Sequence, residues 1–328
     1  MAQYPLMSPL VDFVFKKIFS GSKKSKILLI NLLNAVLGLE EGEKIEDLTY
    51  LNPFNDKEYK EDKISILDIK VKTQKGELID IEVQVTNVDN YRKRALYYWS
   101  RMYTETIEEG DPYDRLKKCI VVNFLDFNLL KNTEKYHSIF KIKEIEENFV
   151  LLDDLEIHYI ELPKFKEKEN INELNDLEKW LTFLKDAGKE GKKEVIEDLR
   201  NKSEVIDMAG EMLEELSKDE LARQMYYQRQ KWIMDEKSKK AYAELQLQRA
   251  KEKALKEGRE EGIKEGIKEG IKEGIKEGRK EGRKEGRKEE KIKIAKNLLK
   301  MKINIETIIE ATGLSKEEVE EIKKSMEN

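Results

Sequence analysis

From Asp12 to Phe19 apolar and polar positions alternate at helical spacing, with Phe13, Val14, Phe15, Ile18 and Phe19 set against Asp12, Lys16 and Lys17. Lys26 to Leu37 continues this with Ile27, Leu28, Leu29, Ile30, Leu32, Leu33, Val36 and Leu37. It ends at Gly38, a residue suited to the left-handed turn that closes a helix. A period of two then takes over. Lys63 to Lys72 and Glu77 to Val85 are β-rich runs, and Thr73-Gln74-Lys75-Gly76 between them predicts a hairpin. Tyr91 to Ile107 returns to helical spacing, with aromatic and basic residues interleaved. Lys118 to Phe124 is a continuous apolar run, the pattern of a strand buried on both faces. A further strand is predicted through Phe149 to Leu162, where Pro163 stops it.

The rest of the chain reads as helical. Trp180, Leu181, Phe183 and Leu184 form one apolar stripe, and Val205, Met208, Met212, Leu213 and Leu216 another; Ser217 is expected to cap a following helix. From Glu257 onward the tetrapeptides Glu-Gly-Ile-Lys and Glu-Gly-Arg-Lys recur, with glycine at every fourth position from 258 to 286. Four residues turn an α-helix by about 400°, so each residue type drifts by about 40° per repeat. Glycine costs about 1 kcal/mol against alanine at each helical site, and pairs such as Glu265–Lys268 offset only part of that. A flexible tether and a helical assembly segment both satisfy this pattern. Beyond it, Ile292 to Met301 and Ile303 to Ala311 predict two helices. Ser315-x-x-Glu318 is a capping box that opens a third, with Val319 and Ile322 facing inward. This is a helix-turn-helix pattern.

Composition narrows the chemistry. The chain of 328 residues carries 63 basic and 68 acidic side chains, a net charge of −5. Its charged fraction of 40% is well above the roughly 25% typical of globular chains, an excess expected to lie in a segment that does not pack conventionally. One cysteine, Cys119, excludes an internal disulfide framework and fits a reducing, cytoplasmic setting; no apolar run approaches a membrane span. With only two histidines, a Cys/His zinc site is out of reach, so a metal here is expected to be Mg²⁺, Mn²⁺ or Ca²⁺ on oxygen ligands. His137 and His158 read as lone residues, and Cys119 as a small buried hydrophobe.

The informative chemistry lies in Asp68-Ile69-Lys70 and, after the turn, Asp80-Ile81-Glu82-Val83-Gln84. Side chains alternate faces, so Asp80, Glu82 and Gln84 share one face of their strand. A turn centred on Lys75 pairs Asp68 with Glu82 across the hairpin, where two carboxylates repel unless a divalent cation lies between them. A solvated strand face neutralised by Lys70 and Lys72 fits the same geometry.

Asp68, then Glu82-Val83-Gln84, resembles the D…(D/E)-x-K signature of PD-(D/E)XK nucleases, and more closely the Asp…Glu-x-Gln variant of the Rpn recombination-promoting nucleases and transposases. Asp12 with Phe15-Lys16-Lys17-Ile18-Phe19, Arg94-Ala95-Leu96-Tyr97-Tyr98-Trp99 and Gly110-Asp111-Pro112-Tyr113 extend the resemblance over residues 7–235. It implies an α/β protein with a restriction-endonuclease-like core, a mixed sheet flanked by helices. That core would occupy 1–165, with a helical extension over 166–248, the charged glycine repeat over 249–290 and the helix-turn-helix-like module over 291–328. It implies bacterial origin and metal-dependent DNA hydrolysis in recombination or a mobile element. Mg²⁺, or Mn²⁺ in its place, would be held by Asp68, Glu82 and the Val83 carbonyl, and Gln84 would orient the attacking water.

Asp12 is a candidate for the same centre, or a helix N-cap. Lys16, Lys17, Arg92, Lys93, Arg94 and Arg101 are candidates for DNA-backbone contact, or a solvated basic face. Tyr97, Tyr98, Trp99 and Tyr103 fit base stacking or core. A feeble DNA-binding or assembly protein that keeps the fold is the alternative to an enzyme. The acidic third helix of the terminal module, with Glu317, Glu318, Glu320 and Glu321, argues for homo-oligomer formation there rather than DNA readout.

Overall fold

The computed structural model describes residues 4–51, 69–87, 90–168 and 170–327. The chain divides into two compact units, Met1–Ala241 and Tyr242–Asn328. Among the described residues no helix is long and apolar enough to cross a membrane.

The first unit is built on a six-stranded sheet in the order β1-β2-β3-β4-β6-β5, with strands Leu48–Tyr50 (β1), Ile69–Thr73 (β2), Leu78–Gln84 (β3), Cys119–Leu125 (β4), His137–Phe140 (β5) and Leu155–Glu161 (β6). β1, β2 and β3 pair antiparallel, β3, β4 and β6 run parallel, and β5 closes the far edge antiparallel to β6. The mixed sheet flanked by helices is the expected core. Every residue of β4 is buried, because β4 is an inner strand covered on both faces.

Helices α1 (Asp12–Phe19), α2 (Lys23–Leu37), α4 (Asp176–Asp186), α5 (Lys193–Asn201) and α6 (Glu204–Lys218) belong to the larger core, with Ile69, Val71, Ile79, Ile81, Val122 and Phe124 of the sheet. Helix α3 (Tyr91–Thr104) covers the opposite face, packing on Leu78, Cys119, Val121, Ile157 and Tyr159. Local chemistry sets the ends of these elements. Ser22 caps α2 by accepting the Ser25 N–H, and Gly38 closes it at φ +61°. Asn175 and Glu178 form a reciprocal capping box on α4.

Two expectations about elements are corrected. The strand predicted from Phe149 begins at Leu155, and the short edge strand β5 had no counterpart in the pattern. Ser217 lies inside α6, where its hydroxyl donates to the Leu213 carbonyl. Asp219 instead caps the next helix, accepting the Ala222 N–H at 2.7 Å. The described part of the predicted strand Lys63–Lys72 starts at Ile69; Asp68 lies outside the described residues.

Helix α7 runs from Glu220 to Lys300, 81 residues, so the glycine repeat is helical rather than a tether. In the second unit α8 (Ile305–Thr312) and α9 (Lys316–Glu327) follow, and Ala295, Ile308, Leu314, Val319 and Ile322 form their small core. Ser315 and Glu318 make the predicted capping box, at 3.2 and 2.9 Å.

Candidate active site

The hairpin register places Ile69 opposite Ile81 and Lys70 opposite Asp80, the pairing predicted from a turn centred on Lys75. Alternation then sends Ile79 and Ile81 into the larger core and turns Asp80, Glu82 and Gln84 toward α3. Asp80 and Glu82 are both buried. Parallel pairing of β3 with β4 sets Glu82 beside Asn123, a polar residue inside an otherwise apolar strand.

Helix α3 brings the partners. Arg94 Nη2 donates to Glu82 Oε2 at 2.7 Å and to Gln84 Oε1 at 3.2 Å. The Tyr91 hydroxyl lies 3.0 Å from Glu82 Oε2 and 2.9 Å from Asn123 Oδ1, so its single proton is shared between two acceptors. Asn123 Nδ2 donates to the His158 carbonyl at 2.9 Å, which turns its oxygen toward Tyr91. The Arg94 guanidinium also sits over the Tyr91 ring, 4.6 Å from its centre. Positive charge is nonetheless short here. Burial, and next the charge of Glu82, push the Asp80 carboxyl up to about 7 despite Lys70, Arg94 and Lys16. Two buried carboxylates on one strand face beside an amide oxygen form a donor set suited to a hard divalent cation. Among the described residues no group of three or more carboxylate, imidazole or thiol side chains converges as a metal nest.

The other candidates lie as follows. Asp12 opens α1, where Val11 rather than Asp12 is the N-cap. Its carboxylate accepts the Phe13 N–H at 2.9 Å and pairs with Arg229 of α7. Burial raises the Asp12 carboxyl, with Arg229 opposing. Lys16 is buried; Lys17 is half-buried. Arg92, Lys93 and Arg101 are exposed along α3. Val83 is half-buried, opposite Phe124 in the β3–β4 register. Of the aromatic residues, Tyr97 is exposed, whereas Trp99 donates to the Cys119 carbonyl at 3.0 Å and stacks on Tyr103. Cys119 is buried, which pushes its thiol up to about 12.

Asp80, Tyr91 and Asn123 were not among the site residues expected from sequence. Asp80 was legible as a face-mate of Glu82, and Asn123 as the polar interruption of a buried run. No local signal ties Tyr91 and Arg94 to β3, because the contact forms only when α3 folds back over the sheet.

The reading of the histidines as lone residues is corrected. His137 Nε2 lies 2.8 Å from His158 Nδ1, and His158 Nε2 lies 2.7 Å from Glu156 Oε1. Lys118 and Lys141 pair with the other Glu156 oxygen at 2.7 and 3.3 Å, and Asp153 pairs with Lys141. Register explains the meeting: β5 is antiparallel to β6, which sets His137 beside the strand that carries His158. Burial lowers His137 from 6.5 to about 4. Burial also raises Glu156, but the bonds from His158 and Lys118 outweigh it and hold the carboxyl below its usual 4.5. Between pH 6.5 and 4 the unfolded chain therefore binds a proton at His137 that the folded chain refuses, so stability is lost as pH falls through that window. Below 4.5 Glu156 adds to the loss. Asp80, raised to about 7, takes up a proton in the folded chain over the same range and opposes this loss. The His137 contribution is therefore read by difference: from pH 6.5 down to pH 4 the urea midpoint of His137→Gln should rise relative to that of wild type.

The fold is a restriction-endonuclease-like α/β core. The chain belongs to the PD-(D/E)XK nuclease family transposases, whose family pattern it matches over residues 9–243. Residues 288–324 match the C-terminal HTH domain of the Rpn/YhgA-like nuclease family, which identifies the chain as an Rpn-family member of the PD-(D/E)XK transposases. No curated protein and no solved structure is detectably similar to it.

Proposed function

We propose that this protein is a Mg²⁺-dependent DNA endonuclease, with Mn²⁺ able to substitute, acting in recombination or in a mobile element in the bacterial cytoplasm. The observation that carries the proposal is the buried pair Asp80 and Glu82 beside Gln84 on one face of β3, short of positive charge and lying under a cation-bearing helix. Glu82, the Val83 carbonyl and Asp68 would hold the metal, with Asp80 beside them. Such an ion polarises the phosphate and makes a bound water more acidic. Gln84 orients the water; its neutral amide hydrogen-bonds but brings no charge. In the reaction the water oxygen forms a bond to phosphorus and the bond from phosphorus to one sugar oxygen breaks. The proton lost by the water is matched by one gained at the leaving oxygen.

Arg92, Lys93, Arg101 and Lys17 are the cations suited to DNA-backbone contact, while the buried Lys16 acts through its charge on Asp80. Asp12, held by Arg229, ties α1 to α7 in this reading. Plasmid cleavage tests the proposal: wild type should nick with Mg²⁺ and Mn²⁺ but not with EDTA, and Asp68→Ala should not. Equal cutting by both proteins would show that the site is misassigned. The alternative, a DNA-binding protein that cuts feebly or not at all, is favoured by the missing lysine at Gln84. It would stand if wild type bound DNA but failed to cut it under any metal.

The tail enters the same reading as an assembly segment. Ile263, Ile267, Ile271 and Ile275 are exposed on α7, and an added Cβ would meet nothing at the repeat glycines, so another helix can approach closely. Glu317, Glu320 and Glu321 are exposed on α9, an unfavourable surface for DNA. Truncation after Leu247 should lower the oligomeric state seen by light scattering while DNA affinity changes little. Loss of most DNA affinity in a folded truncate would make the helix-turn-helix module a DNA-binding arm.

A further inference from the structure

The proposed centre has a gap: Gln84 stands where the wider superfamily places a lysine, and an amide cannot offset the charge that develops on a phosphate under attack. Three cations lie near the acid pair. Lys70 pairs with Glu105 and lies opposite Asp80 across the hairpin, and Lys16 is buried in α1; both act on Asp80 through their charge. Arg94 reaches both motif residues through one nitrogen, Nη2, which donates to Glu82 Oε2 and Gln84 Oε1.

Its seat is suited to a change of partner. The Arg94 side chain is 34% exposed while Glu82 is only 6% exposed, so the guanidinium bridges the buried acids and solvent. Its Nε is buried without a hydrogen-bond partner among the described residues, so the present arrangement leaves donor capacity unused. The Tyr91 ring lies beneath it, and the Tyr98 ring, with its centre 5.7 Å away, flanks it. A planar fork of donors matches phosphate oxygens better than a single ammonium does.

We propose that Arg94 performs the work of the absent lysine. Resting on Glu82 before substrate arrives, it supplies positive charge to the scissile phosphate from helix α3 rather than from β3. The assignment rests on the nuclease reading above. Arg94 exchanges no proton; it is a catalytic residue by contact with the phosphate, and its effect falls on the transition state.

Substitution at both positions tests this. Arg94→Ala should lose cleavage by about 10²-fold or more, mainly in kcat, while binding Mn²⁺ in calorimetric titration at least as tightly as wild type, because a cation that shares Glu82 has gone. Arg94→Lys should keep a substantial part of the activity. Adding Gln84→Lys to Arg94→Ala should recover most of what was lost, since the charge returns from the superfamily position. If Arg94→Ala does not fold, Arg94→Gln carries the same expectations over a retained stem. The proposal is overturned if Arg94→Ala cuts as fast as wild type. It is overturned equally if that variant loses Mn²⁺ affinity together with cleavage and Gln84→Lys restores neither, which would make Arg94 a structural support for Glu82. A wild-type protein that cuts no DNA with Mg²⁺ or Mn²⁺ removes the nuclease reading itself, a different result from either.

Discussion

Replacing Glu82 with glutamine should abolish DNA cleavage, by 10²–10³-fold or more, and weaken Mn²⁺ binding by more than about 100-fold, in a protein that still folds. The magnitude follows from position. Groups that merely orient a metal ligand cost about 10–100-fold in affinity when removed, so a carboxylate that is itself a ligand must exceed that. The fold survives because the amide keeps the shape of the side chain and can still accept from Tyr91, which lies 3.0 Å from Glu82 Oε2. Arg94 loses an ionic partner, but its side chain is partly exposed and water screens much of that loss. A stability change of about 1–2 kcal/mol is therefore expected, small enough for calorimetry and cleavage to be compared in folded protein. Unchanged Mn²⁺ affinity would remove Glu82 from the metal centre.

The largest effect on stability is expected at Trp180, far from that chemistry in sequence and on the other core. Its side chain is 1% exposed, packs against Phe19 with ring centres 5.4 Å apart, and donates its indole N–H to Asn31 at 2.8 Å. It thereby joins α4 to both N-terminal helices. Trp180→Ala should cost about 3–5 kcal/mol through the cavity it leaves, with a further penalty for the unpaired amide. In a unit of this size that lowers the thermal midpoint by roughly 6–20 °C. Tyr113→Ala, at a side chain 86% exposed, should change stability by less than about 0.5 kcal/mol and serves as the control.

Elements set by local rules were legible in the sequence. The hairpin was readable because strict alternation and the Gly76 turn admit one register, and the same alternation aligns Asp80, Glu82 and Gln84. The end of α2 at Gly38 and the capping box at Ser315 follow from backbone chemistry within a few residues. The edge strand β5 was not readable. Four residues, His-Ser-Ile-Phe, give no period, and their pairing with β6 depends on a partner about twenty positions away. The same holds for the His137–His158–Glu156 chain and for the grip of Arg94 on Glu82. Each is a contact between elements, invisible until the sheet order brings them together. The repeat was undecidable for a different reason: charge pairs offset only part of the glycine penalty along α7, so local terms alone leave a marginal helix and choose neither helix nor tether.

The most direct test of the central claim is a time course on supercoiled plasmid DNA with Mg²⁺, running wild type and Glu82→Gln side by side at equal folded concentration. Wild type should convert the substrate to nicked or linear product while Glu82→Gln leaves it supercoiled. Equal rates for the two proteins, or intact DNA with both, would contradict the assignment of the acid face of β3 as a nuclease centre.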